Sequence, residues 1–423
     1  MRTSSSASVR STVPAVRQLS WWARLWQPFW ALPTVMSLFA FAAGIVLPLL
    51  EQHLRSWALW MFPGGVDAAR SALTTIASIS ISTVGVVFSI TMVVLQLASN
   101  QFTPRILGSF LESRIVQVTF GIFISTFVFS LTVLRSIRDS DQTTEETFPR
   151  VSISISFLLA LACVACFLAF IRSITVSIQV RHAIRNVGDE TMALIEAMSS
   201  DDDEAEAPEP WTPPDNSPST TIAVDAKQGH INELDIPSLV KVAKDYDGVV
   251  VLTSGLGAFK IAGQTCAEFW GEGWDEEGDR RVNAALRITT DRSLQQDMSF
   301  GFRQLLDISL RALSPGINDP ATAVQTIDEI HRLLRRLVQM KEPLPYVPDS
   351  EGVTRVVLPA VDINATLAWV IEELNYFGRE SIQIPRRLFE MIDDLSTCAL
   401  PEYQGTLAEM RETIIEPKGF ETN

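Results

Sequence analysis

Residues 72–99 read ALTTIASISISTVGVVFSITMVVLQLAS, 28 consecutive positions without an ionisable side chain. A helix needs about 20 apolar residues to cross the hydrocarbon core of a bilayer, so this run is long enough to span. Three further uncharged runs surround it, at residues 29–50, 115–134 and 151–171. Four such runs so close together are rare in soluble folds, and they predict four transmembrane helices. Trp21, Trp22, Trp26 and Trp30 lead into the first run, and Trp57 and Trp60 follow it. Indole rings in those places are expected at the two headgroup levels.

The 423-residue chain has a formal net charge of -15, unevenly spread. Residues 1–200 hold 14 Arg, no Lys and 10 acidic residues, whereas residues 201–423 hold 20 basic and 39 acidic ones. The acidic second half lacks the clustered Lys and Arg that phosphate contacts require, which argues against nucleic acid as a partner. Arg2, Arg10, Arg17 and Arg24 stand in an acid-free tail, Arg105 and Arg114 between the second and third runs, and Arg172, Arg181 and Arg185 beyond the fourth. The alternate loops mix Arg55, Arg70, Arg135, Arg138 and Arg150 with Glu51, Asp67, Asp139, Asp141, Glu145 and Glu146. By the positive-inside rule this predicts a multi-pass protein of the bacterial inner (plasma) membrane, with N- and C-termini cytoplasmic. The first apolar run is too long, and starts too far in, for a cleaved signal peptide. Four Cys, at 163, 166, 266 and 398, make no disulfide framework in a chain this long. Between the second and third runs, Thr103 can cap a helix with Pro104 at its first position, and Ile106, Leu107, Phe110 and Leu111 share a face. A short interfacial helix follows.

No Asp, Glu, Lys, Arg or His lies within the four runs, which disfavours proton-coupled transport. The second run carries Thr75, Ser78, Ser82, Gly85, Ser89 and Gln96 at steps of three, four or seven, all on one helix face. One reading is a hydroxyl-lined pore assembled from several subunits. The other, which the spacing alone favours, is close helix packing through small residues. Cys163 and Cys166 sit one turn apart inside the fourth run, where two thiols are expected to pack rather than react. Past that run, Val180, Ile184, Val187, Thr191, Leu194 and Met198 alternate steps of four and three, a heptad seam. Residues 172–198 are therefore expected to form a helical stalk, which either pairs with other copies or docks on its own soluble domain.

Residues 199–218 are acidic and Pro-rich, the composition of a linker. Residues 219–296 are expected to form a β-rich subdomain, with short β-prone runs at 221–224, 248–252 and 258–261, Gly between them, and a helix at 236–244. Residues 297–423 read as a helical subdomain with helices at 298–313, 320–340, 365–377, 385–397 and 402–415 and a strand at 354–359. The expected fold is thus a cytoplasmic N-terminal tail (1–28), a polytopic α-helical membrane domain of four transmembrane helices (29–171), and a cytoplasmic α+β domain joining a small β-rich subdomain to a helical bundle.

Three stretches carry a family resemblance: Val94-Leu-Gln-Leu-Ala-Ser-Asn-Gln-Phe-Thr-Pro-Arg-Ile106, Asp291-Arg-Ser-Leu-Gln-Gln-Asp-Met-Ser-Phe-Gly-Phe-Arg-Gln-Leu-Leu-Asp307 and Ala312-Leu-Ser-Pro-Gly-Ile-Asn-Asp-Pro-Ala-Thr-Ala323. Together they resemble the bacterial membrane proteins grouped as domain of unknown function 2254, over about residues 26–413. The resemblance implies a multi-span membrane domain followed by a cytoplasmic domain, and brings no reaction or substrate. Gly229-His-Ile-Asn232 departs from the Gly-Tyr-Val-Gln type of strand expected near the start of the β subdomain.

Arg292, Gln295, Gln296, Asp297, Arg303, Asp307, Asn318 and Asp319 concentrate polar groups around two helix starts. They form either a recognition site for a small ligand or a neighbouring membrane domain, or a buried network in which Arg pairs with Asp while Asn318 and Asp319 cap. The network is the simpler reading. The four His, at 53, 182, 230 and 331, are isolated, and no metal, cofactor or catalytic motif is present. The expectation is a homo-oligomeric inner-membrane protein without enzymatic activity, forming a pathway for an ion or small solute with a cytoplasmic gating domain. The alternative is a membrane-anchored sensor or scaffold.

Overall fold

The computed structural model describes residues 28–51, 65–101, 114–137, 149–177, 179–198, 210–214, 217–225 and 228–414. The expected helix at 103–111, most of the acidic linker, the arginines up to Arg24, and Trp21, Trp22, Trp26, Trp57 and Trp60 lie outside the described residues. The chain forms two compact units that meet in sequence between His182 and Ala183.

The first unit contains α1 (Ala31–Glu51), α2 (Val66–Gln101), α3 (Arg114–Ser136) and α4 (Arg150–Ser177). All four are long and apolar enough to cross a membrane. Helix α2 starts at Val66 and so takes in Asp67 and Arg70, because a charge ends an uncharged run without ending a helix. Helix α3 is the hub: more than half of its spanning stretch is buried, against about a fifth for each of the others. Small residues bring α1 onto it. A Cβ at Gly44 would lie 2.8 Å from Thr132 Cβ, and one at Gly121 would run into the Met36 side chain. The two contacts advance together along both helices, so α1 and α3 are parallel.

Two apolar clusters fix the other directions. The start of α2 (Ala69, Leu73) packs with the end of α3 (Phe129, Val133) and the start of α4 (Ile153). The end of α2 (Val87, Val94) packs with the start of α3 (Val116, Phe120) and the end of α4 (Phe170, Ile174), beside Phe29. The four helices therefore alternate in direction, as in an up-and-down bundle, and Phe29 and Ile174 share one end. At the opposite end Glu51 accepts hydrogen bonds from the Val151 amide (3.1 Å), the Ser152 amide (2.6 Å) and the Ser152 hydroxyl (2.6 Å). A carboxylate from the end of α1 thus caps the start of α4, where the helix dipole favours it.

The second unit takes up most of α5 (Val180–Met198), whose buried residues are Ile184, Val187, Gly188, Thr191 and Ile195. It continues with β1 (Thr220–Ala223), β2 (Gly229–Leu234), α6 (Ile236–Asp245), β3 (Val249–Leu252), β4 (Phe259–Lys260), β5 (Thr265–Trp270), α7 (Glu276–Ala285) and β6 (Leu286–Thr289). Then come α8 (Met298–Ala312), α9 (Pro320–Leu337), β7 (Tyr346–Pro348), β8 (Thr354–Val357), α10 (Ile363–Gly378), α11 (Gln383–Cys398) and α12 (Pro401–Thr413). One sheet has the order β1-β5-β3-β8-β7 and the other β4-β2-β6. Strands β3 and β8 are parallel, with Val250 opposite Val356, and all other pairs are antiparallel. A parallel pair needs a crossover, and here it runs through α8 and α9, so two strands of the five-stranded sheet come from within the mostly helical stretch.

Ile222, Val250, Phe269 and Val356 form the sheet core with Leu239 and Val242 of α6 and Val282 of α7. The helical layer buries Leu305, Leu306, Ile327, Leu334, Leu374, Leu388 and Leu395. Five helix starts of this unit carry an Asp cap, at Asp235 and Asp275 on the sheet helices α6 and α7 and at Asp297, Asp319 and Asp362 in the helical layer. The seam of α5 docks on this layer: Thr191 meets Gly301 of α8, Gly188 meets Glu329 of α9, and Arg332 donates to Asp189 at 2.8 Å.

Candidate functional site

Within the first unit, Thr75, Ser78, Ser82, Gly85, Ser89 and Gln96 all lie on the exposed side of α2, and nothing lies within 4 Å of a Cβ built on Gly85. Apolar side chains flank them on both sides, Ile79, Val86 and Val93 along one edge and Ile81 and Phe88 along the other. Packing inside the unit uses different hydroxyls. Ser80 and Thr91 of α2, Thr119, Ser125, Thr126 and Ser130 of α3, and Ser152 and Ser156 of α4 are buried. Hydroxyls on both faces of α2 bond to their own helix, Thr75 to the Ser71 carbonyl (2.7 Å), Ser89 to Gly85 (2.9 Å) and Thr91 to Val87 (2.8 Å). That bond lowers the cost of holding a hydroxyl away from water.

In the second unit the eight polar residues separate into three groups. At the start of α8, Arg292 donates to Asp297 (2.5 Å) and to the Ser299 hydroxyl (3.1 Å), while Asp297 accepts from the Phe300 amide (3.1 Å). Gly257, at φ +79°, lets the 255–258 loop come against this pair, since a side chain there would strike Arg292 and Asp297. Gln296 is buried and accepts from the Leu234 amide (2.8 Å), so it serves β2 as a further strand partner would. Gln295 is exposed.

One turn on, Arg303 bridges Asp307 (3.0 Å) and Glu373 of α10 (2.7 Å). At the far end of α8, Asp319 caps α9 through the Thr322 amide (3.1 Å) and hydroxyl (2.6 Å). The Thr322 hydroxyl and amide hold its carboxyl below the usual carboxylate range. Asn318 does not cap. It is exposed with φ +49°, and its amide donates to the Ser314 carbonyl at 2.8 Å, so it turns the chain from α8 into α9.

The profile described as "Predicted membrane protein (DUF2254)" matches residues 26–394. The chain belongs to the DUF2254 family. It is 30% identical over 312 residues to uncharacterized proteins of Mycobacterium bovis and of Mycobacterium tuberculosis, an alignment covering 71% of this chain and 58% of each relative. The chain thus spans less than two thirds of the length of the curated relatives it matches. No solved structure matches it.

The DUF2254 chain also holds two ionic groups that its local sequence does not signal. His331 of α9 lies 2.7 Å from Asp394 and 2.8 Å from Arg387 of α11, while Arg387 reaches Asp328 at 2.6 Å and Arg335 pairs with Asp394. Arg387 is a donor only, so Nδ1 of His331 accepts and Nε2–H donates to Asp394. The Arg335 hydrogen bond, with help from His331, holds the Asp394 carboxyl low. Elsewhere Arg355 of β8, almost fully buried, joins Asp349 (3.0 Å) to Asp247 (3.0 Å). Burial opposes the charge on Asp349, but the Arg355 hydrogen bond and the Glu351 and Val353 amides outweigh it and lower its pKa. Both groups join residues far apart in the chain.

Proposed function

We propose that this DUF2254 protein is a homo-oligomer of the bacterial inner membrane, with both termini cytoplasmic, in which copies meet or enclose water along the hydroxyl face of α2. The pathway would carry an ion or small polar solute, and the second unit would assemble or gate it without catalysis, cofactor or nucleic acid. The observation that carries this reading is the outward aim of all six stripe positions. Inside one copy the centre is filled by α3, whose Phe120, Phe123, Phe129 and Val133 are buried. A continuous aqueous route would therefore lie between copies. Helix α5 gives the second unit a handle on the spans, since it follows α4 almost directly in sequence and packs on α8 and α9.

The test is thiol accessibility in the reconstituted protein after Cys163, Cys166, Cys266 and Cys398 are replaced. Cys at Ser78, Ser82 or Ser89 is expected to react with a small charged thiol reagent, and Cys at the buried Val87 or Val94 is not. Planar-bilayer recording on folded protein should then show conductance or flux. Protection of all five positions together with silent bilayers would remove the pathway. One observation favours the second reading, a membrane-anchored sensor or scaffold: Thr75 and Ser89 already bond their own helix and can face lipid at small cost.

A further inference from the structure

We propose that the turn between α10 and α11 is an interfacial foot that sits in the headgroup layer of the bilayer. Tyr376 and Phe377 close α10 and Ile382 opens α11; they are 62%, 52% and 70% exposed. Their backbone frame is tight, because a Cβ on Gly378 would fall against Ile384, 2.9 Å from its Cβ. The two rings meet edge to face at 5.0 Å, and the Arg379 guanidinium lies 5.1 Å from the centre of the Tyr376 ring. Ile382 already has helical backbone geometry at the start of α11, where the Ser381 hydroxyl accepts from the Gln383 amide at 3.3 Å. The exposed apolar side chain of Ile382 therefore has no capping role.

The charge of the turn also departs from its surroundings. Residues 376–387 contain Arg379, Arg386 and Arg387 against the single acid Glu380, within a half of the chain that holds 20 basic and 39 acidic residues. Arg387 points inward to Asp328 and His331, while Arg379, Arg386 and Glu380 are exposed. Amphipathic rings, an aliphatic tip and Arg on one short turn suit the boundary between acyl chains and anionic headgroups.

A bilayer suits this patch better than a second copy does. Three partly exposed side chains offer on the order of 300–400 Å², below the roughly 800 Å² per partner of a stable protein interface. A chain of a membrane-protein family also keeps its second unit tethered close to a bilayer, so a weak interfacial contact suffices. The inference needs only that membership and is independent of the pathway reading.

The experiment uses the full chain with its four native Cys replaced, in liposomes of phosphatidylcholine and phosphatidylglycerol. Nitroxide labels are placed at I382C and, separately, at Y376C, with E409C on the exposed side of α12 as control. Collision with oxygen is compared with collision with a water-soluble nickel chelate. The expected result is a ratio of oxygen to nickel accessibility several-fold higher at 376 and 382 than at 409, falling when phosphatidylglycerol is omitted. Water-like accessibility at both positions would overturn the proposal. So would nickel protection accompanied by spin–spin broadening that disappears on dilution with unlabelled protein, because a second copy would then cover the turn. Labels at 376 and 382 report independently, so misfolding of one variant leaves the other decisive.

Discussion

Gly301→Ala tests the contact that joins α5 to the second unit. The added Cβ would land on the Thr191 hydroxyl and lie 2.8 Å from its Cγ2 and 2.9 Å from its Cβ. Two effects oppose each other. Alanine is better than glycine inside a helix by about 1 kcal/mol, while overpacking a filled site costs typically about 1–3 kcal/mol. Thr191 decides between them. Its side chain is fully buried, β-branched and tied to the Val187 carbonyl at 2.6 Å, so it has no open rotamer to move into. The upper part of the overpacking range applies, and the net expectation is a loss of about 1–2 kcal/mol. Thr191→Ala removes the two atoms that clash but leaves the Cβ, so the double variant should recover most of the loss, with a coupling of about 1–2 kcal/mol. Urea unfolding of the full chain in detergent, followed by tryptophan fluorescence, measures both, because Trp211, Trp270, Trp274 and Trp369 all belong to the second unit. A Gly301→Ala protein as stable as the parent, or a double variant that simply sums the two losses, would refute this packing.

Three pairs of substitutions test the other described contacts. Arg355→Met should strand the buried Asp349 and lower stability by about 3–5 kcal/mol in the same urea assay. Because the folded pKa of Asp349 is depressed, its contribution is complete above the unfolded value of about 3.9 and is lost as pH falls through the folded value. Asp349→Asn should therefore flatten the acid limb of the stability profile below about pH 4. Asp319→Ala should cost about 0.5–2 kcal/mol as a lost cap, whereas Asn318→Gly should be neutral or stabilising by up to about 1 kcal/mol, since φ +49° suits glycine. In the membrane unit Gly44→Ala should lower the melting temperature in detergent more than Gly121→Ala does. The first meets the rigid, β-branched Thr132, and the second meets mainly the flexible end of Met36.

The elements with a strong local signal were legible in the sequence. All four spans and the helices at α6 and α8 to α12 lie where periodicity, caps and uncharged length put them, with ends differing by a few residues. Helix α7 carries no comparable signal. Half of its sequence Glu276-Glu-Gly-Asp-Arg-Arg-Val-Asn-Ala-Ala285 is charged, with Val282 as its one fully buried large apolar side chain, and it is held by tertiary packing and the Asp275 cap. Strand β5 was hidden differently: Thr265-Cys-Ala-Glu-Phe-Trp270 buries two neighbouring residues, Cys266 and Ala267, so it does not alternate, although it lies between β1 and β3. Burial raises the Cys266 thiol to about 11, in keeping with a packing role. At the polar cluster the Arg292–Asp297 and Arg303–Asp307 pairs were readable at spacings of five and four, while Glu373, Asp394 and Arg387 reach their partners only through the fold.

The direction of the α2 stripe shows why spacing alone left its role open. Steps of three and four define a helix face without saying what the face meets. Leu73, Ala77, Ser80, Val84, Val87, Thr91 and Val94 advance by the same alternation, and these are the residues turned inward, all buried except the half-buried Val84. Thr75, Ser82 and Ser89 follow the seam positions Leu73, Ser80 and Val87 by two residues, and Ser78 and Gly85 follow Ala77 and Val84 by one, so the stripe is centred about 150° around the helix from the seam at 3.6 residues per turn. Helix α2 therefore carries two seams of equal period on opposite faces, and one copy of the chain uses only the inward one. A purely lipid-facing surface needs no such period, since any apolar side chain satisfies acyl chains, whereas small residues in heptad register let a second helix approach. The outer seam thus argues for a further copy at α2 more strongly than its hydroxyls argue for water. If the proposed homo-oligomer forms on this face, accessibility at Ser78, Ser82 and Ser89 separates a wet helix contact from a dry one, whereas protection in a protein that stays monomeric would leave the stripe facing lipid.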